Sequence, residues 1–439
     1  MTGVPYESRE RISLMQEESP PTAIEHALAE KWRRSSAAAG KFFDRLLTGL
    51  SRETSSGRFI PEMDGLRFLE TCMVVLVHLH IYLVAKSRFY EHGVANRDRL
   101  SRTVWAGSHA IEMFFVISAF MLALPFAAHR LKGAPAVDLR KYYLRRLTRL
   151  EPPYVVSLFL LMFLTFVFST AHSVSGWGPH LAASLFYLHN LIYGAPSTVL
   201  CVAWSLEIEV QFYMLVPLLT LLFAIRHSVL RRGLIVLLAV LAIVAQAGLR
   251  QLGPRFVLSV AGNLQFFLIG FLLADVFLLE WKTAERRSVY WDAVTLLGWP
   301  ALLISLQSET RTRWLFPALI FVVYCAALRG RWTSKVLSSR WITTIGGMCY
   351  SIYLIHYAVI SAVGRFTKRI GEGLPNPLYL LVQFVIVGLA IVVVCGAYFR
   401  LLERPCMRRD WPQRLWQHTR ALLAFGQAGK LEVKATFAD

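Results

Sequence analysis

The sequence predicts an all-α, polytopic integral membrane protein. Of its 439 residues 55% are hydrophobic, and the mean hydropathy is +0.47. Apolar runs recur from residue 66 to residue 402, and each is close to the ~20 residues that a helix needs to cross a bilayer. A soluble protein of this length would bury one core without repeating such runs, so the sequence excludes the soluble classes.

About ten membrane-spanning helices are predicted from the apolar runs. A shorter apolar patch at residues 181–193 favours a re-entrant or interfacial segment. The ten predicted spans are 64–85, 107–128, 152–170, 205–224, 234–250, 256–279, 290–306, 314–329, 341–364 and 378–401.

The formal net charge of +19 follows from the loops and tails beside these spans. If the N-terminus is inside, 34 of the 47 Lys and Arg residues lie in inner segments and 12 in outer ones. By the positive-inside rule, this asymmetry predicts that both termini are cytoplasmic. It also explains the basic composition by a lipid bilayer, so no nucleic-acid partner is predicted.

Three regions are predicted along the chain. Residues 1–58 form a cytoplasmic segment without a signal-peptide core, and its stretch 22–50 favours either a helix on the membrane surface or disorder. Residues 59–405 form the transmembrane domain, and residues 406–439 a basic cytoplasmic tail. The six cysteines show neither C-x-x-C nor metal spacing, so we expect packing residues and no metal site.

The first span carries two ionisable residues on one face. Arg67 and His78 are 11 residues apart, close to three helical turns, which places them ~16 Å apart along one stripe. Ionisable groups inside spans are costly and are therefore functional candidates. The alternative is a structural His78 that hydrogen-bonds between helices. His80 points to nearly the opposite side, where we expect a structural role or a position in a vestibule.

Other ionisable residues also fall inside or at the ends of spans. Glu207 and Glu209 are two positions apart, so at most one of them faces any given site. Asp275 and Glu403 lie near the predicted inner ends of spans, where snorkelling or pairing with Arg400 or Arg404 is enough to explain them. The residues are Glu112, Glu207, Glu209, Asp275, His356 and Glu403.

The loop after the second span contains three arginines, Arg145, Arg146 and Arg149. On a helix these side chains are neighbours, at spacings of three and four. Planar guanidinium groups bind phosphate oxygens bidentately, so the loop favours a phosphate site. The alternative is ordinary anchoring of the loop at the inner membrane surface.

Six short motifs follow one another along the chain, whereas motifs of soluble enzymes are absent from it. Asp64 precedes the first motif. The motifs are Arg67-x10-His78; GSHAIEMFFVISAF at 107–120; Arg145-Arg146-x-x-Arg149-x-x-Pro152; Trp204-Ser205-Leu206-x-x-Glu209-x-x-Phe212-Tyr213; Tyr350-Ser351-x-Tyr353-Leu354-x-His356; and Glu403-x-Pro405.

Together these motifs resemble the membrane-bound acyltransferase family three, bacterial integral-membrane O-acyltransferases that act on carbohydrates. The resemblance runs in order from Asp64 to Pro405. It implies transfer of an acyl group, most often acetyl, from cytoplasmic acyl-CoA to a hydroxyl of a cell-envelope or exported glycan such as lipopolysaccharide or exopolysaccharide. It also implies a multi-pass protein of the bacterial inner membrane. The oligomeric state is not predicted.

The resemblance implies roles for particular residues. His78 would be catalytic, as a general base or as a transient acyl carrier, and Glu209 would orient its imidazole. The donor would be held by four arginines, and further candidates follow from the motifs. The donor-binding residues are Arg67, Arg145, Arg146 and Arg149, and the further candidates are Asp64, Glu112, Trp204, Ser205, Tyr353, His356 and Glu403.

The sequence also departs from the family pattern. Ala110 and Ala119 replace two glycines of the second-span motif, and Glu112 stands where Asp is common. These alanines would narrow a close helix contact or a substrate channel. The tail 406–439 stands where many members carry an extracytoplasmic hydrolase-like domain. A different class also fits the in-span residues, namely a proton-coupled transporter with a His/Glu relay, although the inverted repeats typical of transporters are not visible.

Overall fold

The computed structural model describes residues 44, 47–52, 59–93, 99–168, 176–281, 287–307, 313–408, 411, 413 and 417. Residues Leu50–Asp439 form one compact unit, and Met1–Gly49 form a separate one. Within the described ranges the chain is helical, and an isolated bridge between Ser288 and Gly330 is its only β feature. Most of the predicted surface helix at 22–50 and of the tail at 406–439 lies outside the described residues.

From residue 61 onward, eighteen helices are numbered here in chain order. They are α1 (Pro61–Lys86), α2 (Arg88–Gly93), α3 (Arg99–Ala106), α4 (Ala110–Lys132), α5 (Leu139–Phe168), α6 (Trp177–Leu185), α7 (His189–Tyr193), α8 (Trp204–Leu219), α9 (Ser228–Leu252), α10 (Pro254–Val257), α11 (Val260–Glu280), α12 (Val289–Gln307), α13 (Phe316–Arg329), α14 (Arg331–Leu337), α15 (Arg340–Gly347), α16 (Cys349–Thr367), α17 (Asn376–Tyr398) and α18 (Arg404–Cys406). A π-helical turn, Phe399–Glu403, joins α17 to α18.

The all-α, multi-pass class is confirmed, whereas the count of ten spans is not. Eight helical stretches of the described chain are long and apolar enough to cross a membrane, or nine if α15 and α16, bent by 73°, form one span. A helix occupies each of the ten predicted stretches, but α13 has only 14 residues. The cytoplasmic placement of both termini stays a prediction.

The predicted non-spanning patch 181–193 contains two short helices, and the first of them and the turn after it contact α5. Helices α6 and α7 have 9 and 5 residues, too few to cross a bilayer. Tyr154 of α5 donates to the Ser184 carbonyl at 2.9 Å, and Tyr187 donates to Glu151 Oε2 at 2.8 Å. The Glu207 carboxylate accepts the Asn190 N–H at 2.7 Å, so Glu207 stabilises the N-terminus of α7.

Helix α1 lies in the interior of the unit, and glycines allow two close contacts with it. A Cβ at Gly346 of α15 would lie 1.8 Å from the Asp64 carbonyl oxygen, and one at Gly65 would lie 2.4 Å from that of Leu337. No larger side chain fits either position without moving a backbone. The two glycines therefore bring α14 and α15 directly against the first turns of α1.

The alanine at position 119 is matched by a glycine on the facing helix. A Cβ at Gly270 of α11 would lie 2.5 Å from both the Ala119 Cβ and the Val116 carbonyl oxygen of α4. Helices α4 and α11 are therefore in close contact at Ala119, and the glycine at position 270 leaves room for the alanine methyl group.

The arginine partners of Asp275 come from α9. Arg231 and Asp275 are both fully buried and form an ion pair, and Arg232 Nε lies 2.6 Å from Asp275 Oδ1. Arg231 also donates to the Ile225 carbonyl at 2.5 Å. A buried charge needs such partners, so these contacts assign Asp275 a structural role between α9 and α11.

We expect Gly270→Ala to destabilise the protein by about 1–3 kcal/mol, because the added methyl overlaps the backbone of α4. Gly388→Ala is the matched control, since nothing lies within 4 Å of its Cβ position. Because alanine favours a helix more than glycine does, this variant should be more stable than the wild type by about 0.5–1 kcal/mol. Thermal unfolding of the purified variants in detergent measures both changes. A Gly270→Ala variant as stable as the wild type would contradict this packing.

Candidate active site

The structure pairs two of the predicted in-span histidines. His78 Nδ1 of α1 lies 3.0 Å from His356 Nε2 of α16, with ring centroids 4.9 Å apart. His356 is 0% exposed, whereas His78 is partly exposed. Tyr357 meets the His78 ring edge-on at a centroid distance of 5.5 Å. We call His78 and His356 the histidine pair; His78 is its accessible member.

Backbone carbonyls of its own helix hold His356. Its Nδ1 lies 2.8 Å from the Ile352 oxygen and 3.0 Å from the Tyr353 oxygen. Both carbonyls are one turn earlier on α16, where an i−4 or i−3 side chain contact is expected. The ring therefore has little freedom to rotate away from His78.

Tyr353 joins α16 to the start of α8. Its hydroxyl lies 3.0 Å from Ser205 Oγ, accepts the Leu206 N–H at 3.2 Å and donates to the Val202 carbonyl. The motif residues Ser205 and Tyr353 thus meet, although 148 positions separate them. Trp204 contributes its carbonyl, which accepts from the Asn190 side chain at 2.7 Å.

Glu209 does not hydrogen-bond to His78 within the described chain. Its carboxylate accepts a hydrogen bond from Ser118 of α4, and the partner of His78 is His356. The role predicted for Glu209, orienting the His78 imidazole, stays a prediction. The pairing of His78 with His356 could not be predicted from local sequence patterns, since the two residues lie 278 positions apart.

A second group of charged residues gathers beside the first turns of α1. Arg67 pairs with Asp64, and Arg52 Nη1 lies 3.2 Å from the same carboxylate. Arg149 Nη2 of α5 lies 3.9 Å from Glu403 Oε1, and Glu403 also accepts from Ser351 at 3.0 Å and 2.5 Å. We call these three arginines and two carboxylates the cation cluster; it carries an excess of one positive charge.

The cation cluster is short of negative charge. Burial, followed by the nearby charges of Arg149 and Arg67, lowers the pKa of Arg52 from its usual value. Buried Nε atoms of Arg52 and Arg149 have no hydrogen-bond partner among the described residues. A bound anion would supply both the missing charge and the missing acceptors.

A cavity of about 280 Å³ opens at this cluster. Its walls come from the segment before α1, from α1 itself and from α15. They are Ser51, Arg52, Phe59, Asp64, Thr343 and Thr344. Arg52 was not among the predicted donor-binding residues, because a basic residue just before a first span is also what positive-inside anchoring produces.

The arginines predicted to form one phosphate fork have three different surroundings. Only Arg149 joins the cation cluster. Arg146 lies over the rings of Tyr213 and Tyr142, at 5.5 Å and 5.9 Å from their centroids, and Arg145 is exposed. That all three arginines bind the donor stays a prediction, and of these three the structure places Arg149 beside Arg52.

The remaining candidates lie outside both groups. Glu112 Oε1 accepts from His109 Nδ1 at 2.9 Å at the start of α4. His80 is buried between Tyr90 Oη at 2.9 Å and Ser101 Oγ at 3.1 Å, which fits its expected structural role. Among the described residues, no group of three or more His, Cys, Asp or Glu side chains is placed to hold a metal.

Comparison with known proteins gives one family. The family model described as "Acyltransferase domain" matches residues 60–400. The chain is similar to the O-acetyltransferase OatA of Staphylococcus aureus strain NCTC 8325 / PS 47, with 23% identity over 401 residues, 84% of this chain and 61% of the relative. OatA of strain MRSA252 gives the same values. The chain thus spans about three fifths of the length of these curated relatives. No solved structure matches it.

We expect Tyr353→Phe to destabilise the protein by about 1–3 kcal/mol, because the Val202 carbonyl and its neighbours lose a buried partner. Tyr357→Phe, which removes a hydroxyl with no hydrogen bond among the described residues, is the matched control and should change stability by less than about 0.5 kcal/mol. Thermal unfolding in detergent compares the two. Equal stability of both variants would show that the Tyr353 hydroxyl does not join α16 to α8.

Proposed function

This chain belongs to the acyltransferase domain family, the membrane-bound acyltransferase family three, and we propose that it moves an acyl group from cytoplasmic acyl-CoA to a hydroxyl of a cell-envelope or exported glycan. The observation that carries the proposal is the placement of two groups on one helix. Helix α1 contributes Arg67 to the cation cluster and His78 to the histidine pair. An anion site and a reactive imidazole are thus aligned along one stripe.

The cation cluster fits the phosphates of a coenzyme A donor. Arg52, Arg67 and Arg149 are close enough to act on one another, and guanidinium groups bind phosphate oxygens as charge-assisted, often bidentate pairs. The adjoining cavity of about 280 Å³ is lined by Arg52 itself. The pantetheine arm, a long and thin uncharged chain, would then follow α1 from Arg67 toward His78. A proton relay needs no such cluster, so this feature favours acyl transfer over transport.

His78 has two chemical routes. As a base, it takes the proton of the acceptor hydroxyl while that oxygen bonds to the thioester carbonyl carbon. The C–S bond then breaks, and the thiolate takes the proton from the imidazolium, leaving an ester and free coenzyme A. As a carrier, the imidazole forms a C–N bond to the acyl carbon, the C–S bond breaks, and the thiolate leaves while the ring keeps its own proton. The acceptor oxygen then bonds to the acyl carbon as the C–N bond breaks, and its proton passes to the freed ring nitrogen and on to the thiolate, leaving an ester and free coenzyme A.

Acetyl is the acyl group that the relatives favour, because their names describe O-acetyltransferases. We extend this group to the present chain as part of the proposal. The proposed location is the bacterial inner membrane, where a multi-pass protein can meet cytoplasmic coenzyme A on one side and exported glycans on the other.

His78→Ala should lower transfer of labelled acetyl from acetyl-CoA to an envelope glycan by about 100-fold or more, since loss of a general acid–base group costs that much. His227→Ala is the control, because that exposed histidine only caps α9. The assay uses the purified full chain in lipid vesicles, with mass spectrometry of the glycan. Wild-type transfer by His78→Ala would contradict the proposed role of the imidazole.

Arg52→Ala should raise the KM for acetyl-CoA by about tenfold or more, since a hydrogen bond to a charged group contributes about 1.5–3 kcal/mol. Arg140→Ala, which removes an exposed arginine from the first turn of α5, should leave KM within about twofold. Initial rates give KM, and the shift in melting temperature with free coenzyme A gives binding without turnover. If both variants bind coenzyme A equally well, the cation cluster is not the donor site.

A further inference from the structure

We infer that His356 is a positioning residue that holds His78 in the tautomer with its proton on Nδ1, so that the Nε2 lone pair of His78 is free to react. The catalytic consequence rests on the proposed function. The assignment of the protons rests on hydrogen bonds alone.

The first step concerns His356. Its Nδ1 faces two carbonyl oxygens, of Ile352 at 2.8 Å and of Tyr353 at 3.0 Å. Carbonyl oxygens only accept hydrogen bonds, so Nδ1 must carry a proton. The residue is 0% exposed, and a charged ring there would lose its hydration without a carboxylate partner. His356 is therefore neutral, and its Nε2 carries a lone pair.

The lone pair on His356 Nε2 determines which nitrogen of His78 carries the proton. His356 Nε2 lies 3.0 Å from His78 Nδ1. Two lone pairs at this distance would repel, so His78 Nδ1 must be the donor. A neutral imidazole carries one N–H, and the proton on Nδ1 leaves Nε2 of His78 unprotonated.

Both chemical routes of His78 need this arrangement. A base needs a lone pair aimed at the acceptor hydroxyl, and an acyl carrier needs one aimed at the thioester carbon. His78 is partly exposed, and its Nδ1 faces the buried His356, so the Nε2 lone pair points away from that buried partner. Without His356, the ring could rotate or take the other tautomer, with the proton on the reactive nitrogen.

Nitrogen-15 NMR of the full chain, labelled at histidine and held in lipid nanodiscs, tests the tautomer directly. His78→Ala and His356→Gln assign the two sets of ring signals. We expect His78 to show a protonated Nδ1 and an unprotonated Nε2 in the wild type. A His78 ring protonated at Nε2 overturns the inference, whether or not transfer is observed.

Kinetics then separate positioning from a purely structural role. His356→Phe keeps the ring but removes the acceptor, and we expect kcat to fall by about 10- to 100-fold while the KM for the donor changes less than about twofold. His356→Gln offers an amide oxygen to His78 Nδ1 and should recover kcat to within about tenfold of the wild type. If His356→Phe keeps the wild-type kcat, or His356→Gln loses as much as His356→Phe at equal melting temperature, the positioning role is wrong.

The two proposals fail separately. If the wild type transfers no acyl group from any coenzyme A donor, the proposed function is wrong, and the NMR signals still decide the tautomer. If acyl transfer depends on His78 but not on His356, the proposed function is supported and the positioning role of His356 is wrong.

Discussion

Polar side chains on a buried helix must find partners, and α1 is the helix on which this requirement is most severe. It carries six ionisable residues into the interior of the bundle, and other elements supply contacts to each face of it. Arg287 and Ser334 contact Glu62, Arg52 contacts Asp64, and Tyr324 donates to Glu70. Farther along, His356 pairs with His78, and Tyr90 and Ser101 enclose His80.

These partners fix how the bundle assembles around α1. They come from α2, α3, α13, α14 and α16 as well as from the segments before α1 and α12. Glycines remove the steric obstacles to that assembly, most clearly where Gly346 passes the Asp64 carbonyl. Specific polar contacts thus set the rotation of α1 about its axis, and that rotation directs the face with Arg67 and His78 toward Arg52 and His356.

The sequence was sufficient to predict the all-α membrane class and the positions of the helices. Apolar runs predicted the helices because span length is a physical requirement of the bilayer. The spacing of Arg67 and His78 predicted their common face because a helix has a fixed period. His356 was a candidate for the simple reason that an ionisable group inside a span is costly.

Long-range pairings could not be predicted in the same way. Nothing in the local sequence distinguishes His356 from Glu209 as the partner of His78, because the choice depends on how α8 and α16 pack against α1. The same holds for Arg52, which resembles a membrane anchor, and for Arg145, which resembles a phosphate ligand but is exposed. Gly270 compensates for Ala119 only because α11 faces α4.

The account depends on one spatial relation: a donor whose phosphates bind at the cation cluster must place its thioester at His78. An electron cryomicroscopy structure of the full chain in nanodiscs with coenzyme A tests this relation most directly. We predict phosphate density in contact with Arg52, Arg67 and Arg149, and a thiol end within about 4 Å of the His78 ring, the range of reacting atoms. Coenzyme A bound elsewhere, or a His78 ring separated from its thiol by packed side chains, would contradict the account.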